Sequence, residues 1–351
     1  MKKIILLLII ISSLYACQKD DINDLGEVIY VRRNGADMPA YIYGNGASKV
    51  FVLILHGGPG GSGLEYRDGV YSAQLEEKYA MVYWDQRGQG MSQGHYSKDV
   101  VNLSEMADDV NALALVLKKK YGDDISLFLM GHSWGGMLGP AALTKDNIQS
   151  HFKGWIDVDG AHNIRDMFLY IVRDAIRVSN EQLALGNNTK FWNKFIDYAK
   201  GIDTTSMPLS QSESGKLNDY GQKAESVLID DGIIASGNGT GSLQGLANIF
   251  GLNPITKTIT GTFTSVHLFT GEEDLSNVDL TPYLHKIKIP SLIIWGKYDL
   301  VVPIELAKTA YLNLGSVCKD TVFFARSGHS PMVNEPDKFV EVVSKFIDHH
   351  K

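Results

Sequence analysis

Apolar and polar positions alternate near the start of the chain, run apolar in its middle, and fall into helical spacing between those runs. Glu27 to Arg33 and Met38 to Tyr43 are β-type runs separated by a stretch beginning Asn34-Gly35, a pair that tolerates the positive φ of a hairpin turn. They predict an antiparallel hairpin. Val50 to Leu55 is apolar throughout, the pattern of a strand covered on both faces, and it stops at His56-Gly57-Gly58-Pro59-Gly60-Gly61. Ala80 to Trp84 stops in the same way at Asp85-Gln86-Arg87-Gly88-Gln89-Gly90. Ile125 to Met130, the weaker Trp155 to Val158, Pro290 to Trp295 and Thr321 to Phe324 extend the series. Asn102 with Glu105 three residues on opens a helix whose face carries Met106, Val110, Leu113 and Leu117, with Gly122 beyond its end. A last helix begins near Pro336 and buries Phe339, Val342, Val343 and Phe346. This alternation predicts an α/β architecture, a mostly parallel central sheet flanked by helices.

The alternation stops near residue 162 and returns only with the Pro290 run. Residues 27–161 and 286–351 therefore read as two parts of one core, and 162–285 as a mainly helical cap inserted between core strands. Met167, Ile171, Ala175 and Val178 share one helical face, and Phe191, Trp192, Phe195 and Tyr198 another. Ser236 to Gly241 is a candidate flexible loop.

Lys and Arg number 33 against 40 Asp and Glu, a net charge of −7, and no basic stripe stands out, which argues against a grip on nucleic-acid phosphates. Residues 1–16 have the layout of a secretory signal: Met1-Lys2-Lys3 is positive and Ile4 to Ile11 is apolar, too short to span a bilayer. Leu14-Tyr15-Ala16-Cys17 resembles a bacterial lipobox, which implies lipidation of Cys17 and a tether over 17–26. Gln18-Lys19-Asp20-Asp21 resembles the acidic export signal of some surface lipoproteins. An anchor in a bacterial envelope membrane, facing the periplasm or the exterior, is the expectation. With Cys17 lipidated, the second cysteine, Cys318, has no disulfide partner; its apolar neighbours suggest a buried small side chain.

Gly131-His132-Ser133-Trp134-Gly135 is a G-x-S-x-G match lying between a buried strand and a helix-compatible stretch. Small flanking residues permit the strained turn that lifts a serine hydroxyl clear of a sheet, and they leave the Trp134 N–H free for an oxyanion. A serine nucleophile needs a base held by an acid, and in this arrangement acid then histidine follow later strands. Asp299 follows the Pro290 run and His329 follows the Thr321 run; Asp159 is an alternative acid one strand earlier. The Gly57-Gly58 pair lets backbone approach a substrate oxygen closely, with Gly58 the expected second donor. The other histidines show no metal-ligand spacing and no phosphate-binding glycine fingerprint follows a strand, so no metal and no cofactor are implied.

His56-Gly57-Gly58-Pro59-Gly60, Asp85-Gln86-Arg87-Gly88-Gln89-Gly90-Met91-Ser92, the Ser133 elbow, Asp299 and His329 together resemble the α/β-hydrolase fold, specifically its proline iminopeptidase-like serine peptidases. The likeness covers roughly residues 27 to 160 and 286 to 350. It implies an aminopeptidase releasing N-terminal Pro or small apolar residues from short peptides, with acidic cap residues binding the free amine; Glu213, Glu225, Glu272 and Glu273 are the candidates. His132 in the elbow is shared with many esterases, so an esterase or lactonase-type acyl hydrolase is the alternative. A non-catalytic ligand-binding surface lipoprotein is the alternative of another class.

Overall fold

The structure is a computed structural model that describes residues 22–237, 253–270 and 274–351. The signal segment, Cys17, part of the Ser236 to Gly241 loop, Glu272 and Glu273 lie outside the described residues. Among the described residues no helix is long and apolar enough to cross a membrane.

Nine strands form one sheet in the order β1-β2-β4-β3-β6-β7-β8-β9, with the short β5 pairing β2. The strands are β1 Leu25–Arg33, β2 Ala36–Gly44, β3 Val50–Leu55, β4 Ala80–Trp84, β5 Gln93–Gly94, β6 Ser126–His132, β7 Gly154–Val158, β8 Ser291–Gly296 and β9 Lys319–Phe324. The expected hairpin forms, with Arg33 opposite Ala36 across the turn. β2 runs antiparallel to β4, and every pairing from β4 through β9 is parallel.

Every residue of β3, β4, β7 and β8 is buried because both faces are covered. Phe51, Leu53 and Leu55 enter one core with the helices α2 Leu103–Tyr121 and α3 Gly135–Leu143. Val50, Val52 and Ile54 enter the other with α1 Val70–Glu76 and the C-terminal helix Pro336–His350. Period-two alternation thus divides each central strand between two cores. Asn102 caps α2 by accepting the Glu105 N–H at 2.8 Å.

Between β7 and β8 the described chain contributes four helices: α4 Ile164–Leu185, α5 Thr189–Lys200, α6 Gln211–Asp230 and α7 Pro254–Thr270. After β8 come α8 Glu305–Asn313, α9 Pro331–Asn334 and the C-terminal helix, α10. One local expectation fails. Cys318 is exposed, because it lies in the turn entering the edge strand β9, beside a fully exposed Val317.

Candidate active site

Parallel strands deliver their following loops to one edge of the sheet, the crevice where such folds bind ligands. Ser133 sits there directly after β6 with φ +57, a left-handed conformation uncommon for a residue with a side chain. The turn is held by the Ser133 N–H on the Val158 carbonyl and by the Gly136 and Ala161 N–H groups on the Ser133 carbonyl. Its glycines are there for space. A Cβ on Gly131 would lie 2.3 Å from the Gly135 oxygen, and one on Gly135 would lie 2.0 Å from the Leu55 oxygen.

His329, in the loop after β9, donates its Nδ1–H to Asp299 Oδ2 at 2.8 Å. That bond leaves Nε2 as the basic nitrogen. Asp299 is itself fixed, Oδ1 accepting the Val301 and Val302 N–H groups at 2.8 and 2.7 Å. Burial acts to lower the His329 pKa, but the Asp299 charge and hydrogen bond, followed by the Glu225 charge, raise it above its ordinary value. Asp159, the alternative acid, is fully buried at the end of β7 and accepts the Gly296 N–H instead, at 2.9 Å. Burial, then the Asp299 charge, push its carboxyl well above the usual range.

His132 links the serine to its surroundings. Its Nε2–H donates to the His329 carbonyl at 2.6 Å, and its Nδ1 accepts from the Tyr66 hydroxyl, which accepts the Gly57 N–H at 2.8 Å. Burial, then the His329 charge, depress the His132 pKa to about 3, keeping the ring neutral beside His329 at 4.7 Å between centroids. A carboxylate oxygen of Asp159 and ring nitrogens of His132 and His329 lie within 4.8 Å of one another. Both His132 nitrogens and His329 Nδ1 are already committed, so this set offers no vacant metal shell.

Gly58, at φ +134, lies with Ser133 and Trp134 in the wall of a cavity of about 290 Å³. Among the described residues, neither the Gly58 nor the Trp134 backbone N–H donates to another protein group. The rest of the wall is apolar (Ala161, Ile164, Met167, Phe168, Phe269, Val301) or neutral and polar (Gln211, Ser214, Asn218, Ser265, Ser276). No charged side chain is part of it among the described residues.

The Asp85 to Ser92 loop, singled out in the sequence without a role, holds this arrangement. Asp85 is fully buried and accepts from the Ser62 hydroxyl and the Gly63 and Met91 N–H groups. Gln86 takes the Trp134 ring N–H at 2.7 Å and donates to the His56 carbonyl, and Gln89 accepts the Gly60 N–H at 2.6 Å. Arg87 is locked to Asp109 by two bonds of 2.7 Å, both side chains fully buried. The insert covers the same loops through α7, where Thr264 bonds the Gly88 carbonyl and Ser265 the Pro59 carbonyl. Neither described candidate for amine binding faces the cavity. Glu213 is exposed and caps α6, while both Glu225 oxygens accept backbone N–H groups.

A mixed sheet, parallel from β4 to β9, with a Gly-His-Ser-Trp-Gly elbow after β6 and Asp299 and His329 on the loops after β8 and β9, has the layout of an α/β-hydrolase. The family model described as "Serine aminopeptidase, S33" matches residues 46–194. A probable aminopeptidase of Bacillus subtilis is 27% identical over 85% of this chain and 89% of its own length. A proline iminopeptidase of Saccharolobus solfataricus is 26% identical over 91% of each. An esterase structure from Exiguobacterium antarcticum superposes with a TM-score of 0.57 at 20% identity, over 92% of this chain and all of its own. These likenesses support a proline iminopeptidase-like α/β-hydrolase, and with it a hydrolytic enzyme.

Proposed function

We propose that the protein is a serine aminopeptidase that releases an N-terminal Pro or small apolar residue from short peptides. Ser133 attacks the carbonyl, His329 Nε2 takes the hydroxyl proton and returns it to the leaving amine, and Asp299 stabilises the imidazolium. The Gly58 and Trp134 N–H groups receive the oxyanion, each such donor being worth about 2.7–4 kcal/mol in comparable sites. Water, activated by His329, then releases the acyl group. The observation that carries this reading is Ser133 held at positive φ in the wall of a small cavity, beside two unclaimed N–H donors.

A second reading follows from the neutral wall of that cavity. A free amine bound there would meet no carboxylate among the described wall residues, which is costly in an apolar pocket, whereas an uncharged acyl group meets no such penalty. An ester or blocked-amide hydrolase therefore uses the same machinery. Prolyl- and alanyl-arylamides, their N-acetylated forms and p-nitrophenyl esters separate the two. An aminopeptidase should lose roughly 10²-fold or more in kcat/KM on acetylation. Equal rates would transfer the assignment to uncharged acyl substrates. Absence of turnover on all of them, with no fluorophosphonate labelling, would favour a ligand-binding protein.

For location we propose an envelope lipoprotein anchored through Cys17, on the strength of the signal layout of residues 1–16 and the lipobox resemblance.

A further inference from the structure

One acidic side chain of the insert reaches the acid and base loops from above. On α6, Gly221 and Glu225 stand one turn apart on the face that meets the segment after Asp299. At Gly221 the approach is so close that a Cβ would lie 2.2 Å from the Leu300 carbonyl oxygen. One turn on, Glu225 Oε1 accepts the Leu300 N–H at 3.0 Å and Oε2 accepts the His329 N–H at 2.9 Å. Leu300 directly follows Asp299, so a single carboxylate holds the backbone beside the acid and the backbone of the base. Gly328 makes room for it, since a Cβ there would sit 2.3 Å from Glu225 Oε2. The same stretch of insert is fastened again further on: the Ala235 N–H donates to the Arg326 carbonyl at 2.7 Å, and Asn334 donates to the Ala235 carbonyl at 2.9 Å.

We propose that Glu225 is a positioning residue for hydrolysis: its two hydrogen bonds set Asp299 and His329 relative to each other and make their alignment depend on α6 being seated. The inference rests on the assignment of Ser133, Asp299 and His329 made above. It gives the insert a part in the chemistry besides shaping the cavity. Glu225 acts through backbone and through charge, and these two actions are separable.

The groups facing His329 are Asp299 from the loop after β8, Glu225 from α6, His132 from the end of β6 and Asp159 from the end of β7. Burial raises the Asp159 carboxyl and depresses the His132 ring, and the charges that raise His329 are those of Asp299 and, after it, Glu225. Glu225 faces Asp299 and His329, and burial, then the Asp299 charge, push its own carboxyl up to about 7. The base must be unprotonated to act, so activity rises with pH through the titration of this pair. Removing the Glu225 carboxyl should move that acidic limb to lower pH. A residue that only stabilised the fold would change the yield of protein and leave the limb where it was.

The test compares full-length Glu225→Gln and Glu225→Asp with wild type, and with Ser133→Ala as the blank, on whichever arylamide or ester wild type hydrolyses. Gln keeps one acceptor oxygen and loses the charge; kcat should fall about 10- to 100-fold with KM held within about threefold. Its acidic limb in kcat/KM should move down by about half a pH unit or more. Asp keeps the charge but is one methylene too short to reach both N–H groups, so kcat should fall with little movement of the limb. A folded Gln variant with wild-type kcat and an unmoved limb overturns the proposal. So does a rise in KM at unchanged kcat, which would make Glu225 a substrate contact. If the Gln variant does not fold, the Asp variant decides: wild-type kcat overturns the proposal and a kcat loss at constant KM supports it. Turnover surviving in Ser133→Ala would instead remove the triad assignment, and the proposal with it.

Discussion

At Ser133 a hydroxyl is unreactive until its proton has somewhere to go, and in the proposed mechanism His329, with Asp299 behind it, is the acceptor. Ser133→Ala should therefore abolish fluorophosphonate labelling and lower turnover by several orders of magnitude; labelling at the wild-type rate would place the nucleophile elsewhere. Asp299→Asn keeps the shape but offers His329 Nδ1 an ambiguous partner, and kcat should drop about 10⁴-fold by analogy with serine proteases. It should also move the acidic limb downward, because the largest influence raising the His329 pKa is the Asp299 charge. Asp159 holds the Gly296 N–H while Asp299 holds His329, so Asp159→Asn should leave kcat close to wild type. A damaging Asp159→Asn beside a mild Asp299→Asn would reverse the two acids. The placement of Ser133, Asp299 and His329 on loops after core strands was legible because those strands are recognisable apolar runs, and the structure joins Asp299 to His329. Glu225 was visible only as one carboxylate among several, since its partners lie 75 and 104 residues away and no local pattern marks such a contact. The Tyr66 link to His132, across 66 positions, was hidden for the same reason.

Among the elements, the core strands and their helices were legible from apolar runs and helical periodicity, which respond to burial alone. The role of the Asp85 to Ser92 loop was not, because it consists of hydrogen bonds between loops that the sheet brings together. Asp85 accepts from three donors supplied by two loops, and its side chain is fully buried. Asp85→Ala removes the acceptor of the Ser62, Gly63 and Met91 donors, at a cost of about 1–3 kcal/mol for each buried group left unsatisfied. The expected outcome is a loss of about 3 kcal/mol or more in urea unfolding. Asp85→Asn, which keeps one acceptor oxygen, should lose clearly less. Because Gly63 continues from the Gly57-Gly58 turn, kcat of the Ala variant should also fall in the protein that remains folded. An Asp85→Ala variant as stable as wild type would mean that the loops are held by their other contacts, chiefly Gln86 and Gln89.

At the scale of the whole molecule, the proposed chemistry and the proposed address lie in different parts of the chain. The residues that form the cavity run from Gly58 to Val302, and the sheet that positions them begins at Leu25. The proposed anchor, Cys17, precedes that sheet by a short polar stretch, so attachment to lipid and hydrolysis should be independent. One acyl chain gives only marginal membrane binding, whereas the two chains of a diacylglyceryl group give stable anchoring. Cys17→Ser should therefore move the protein from the detergent phase to the aqueous phase, or leave unprocessed precursor, and abolish incorporation of labelled fatty acid. Its kcat/KM on a soluble arylamide or ester should remain within about twofold of wild type, a difference below roughly 0.5 kcal/mol in transition-state stabilisation. Unchanged detergent partitioning, with no acyl label on the wild type, would refute the anchor while leaving the active site as described. A large loss of kcat/KM in the released protein would instead mean that the membrane surface takes part in seating the insert, and that address and chemistry are coupled after all.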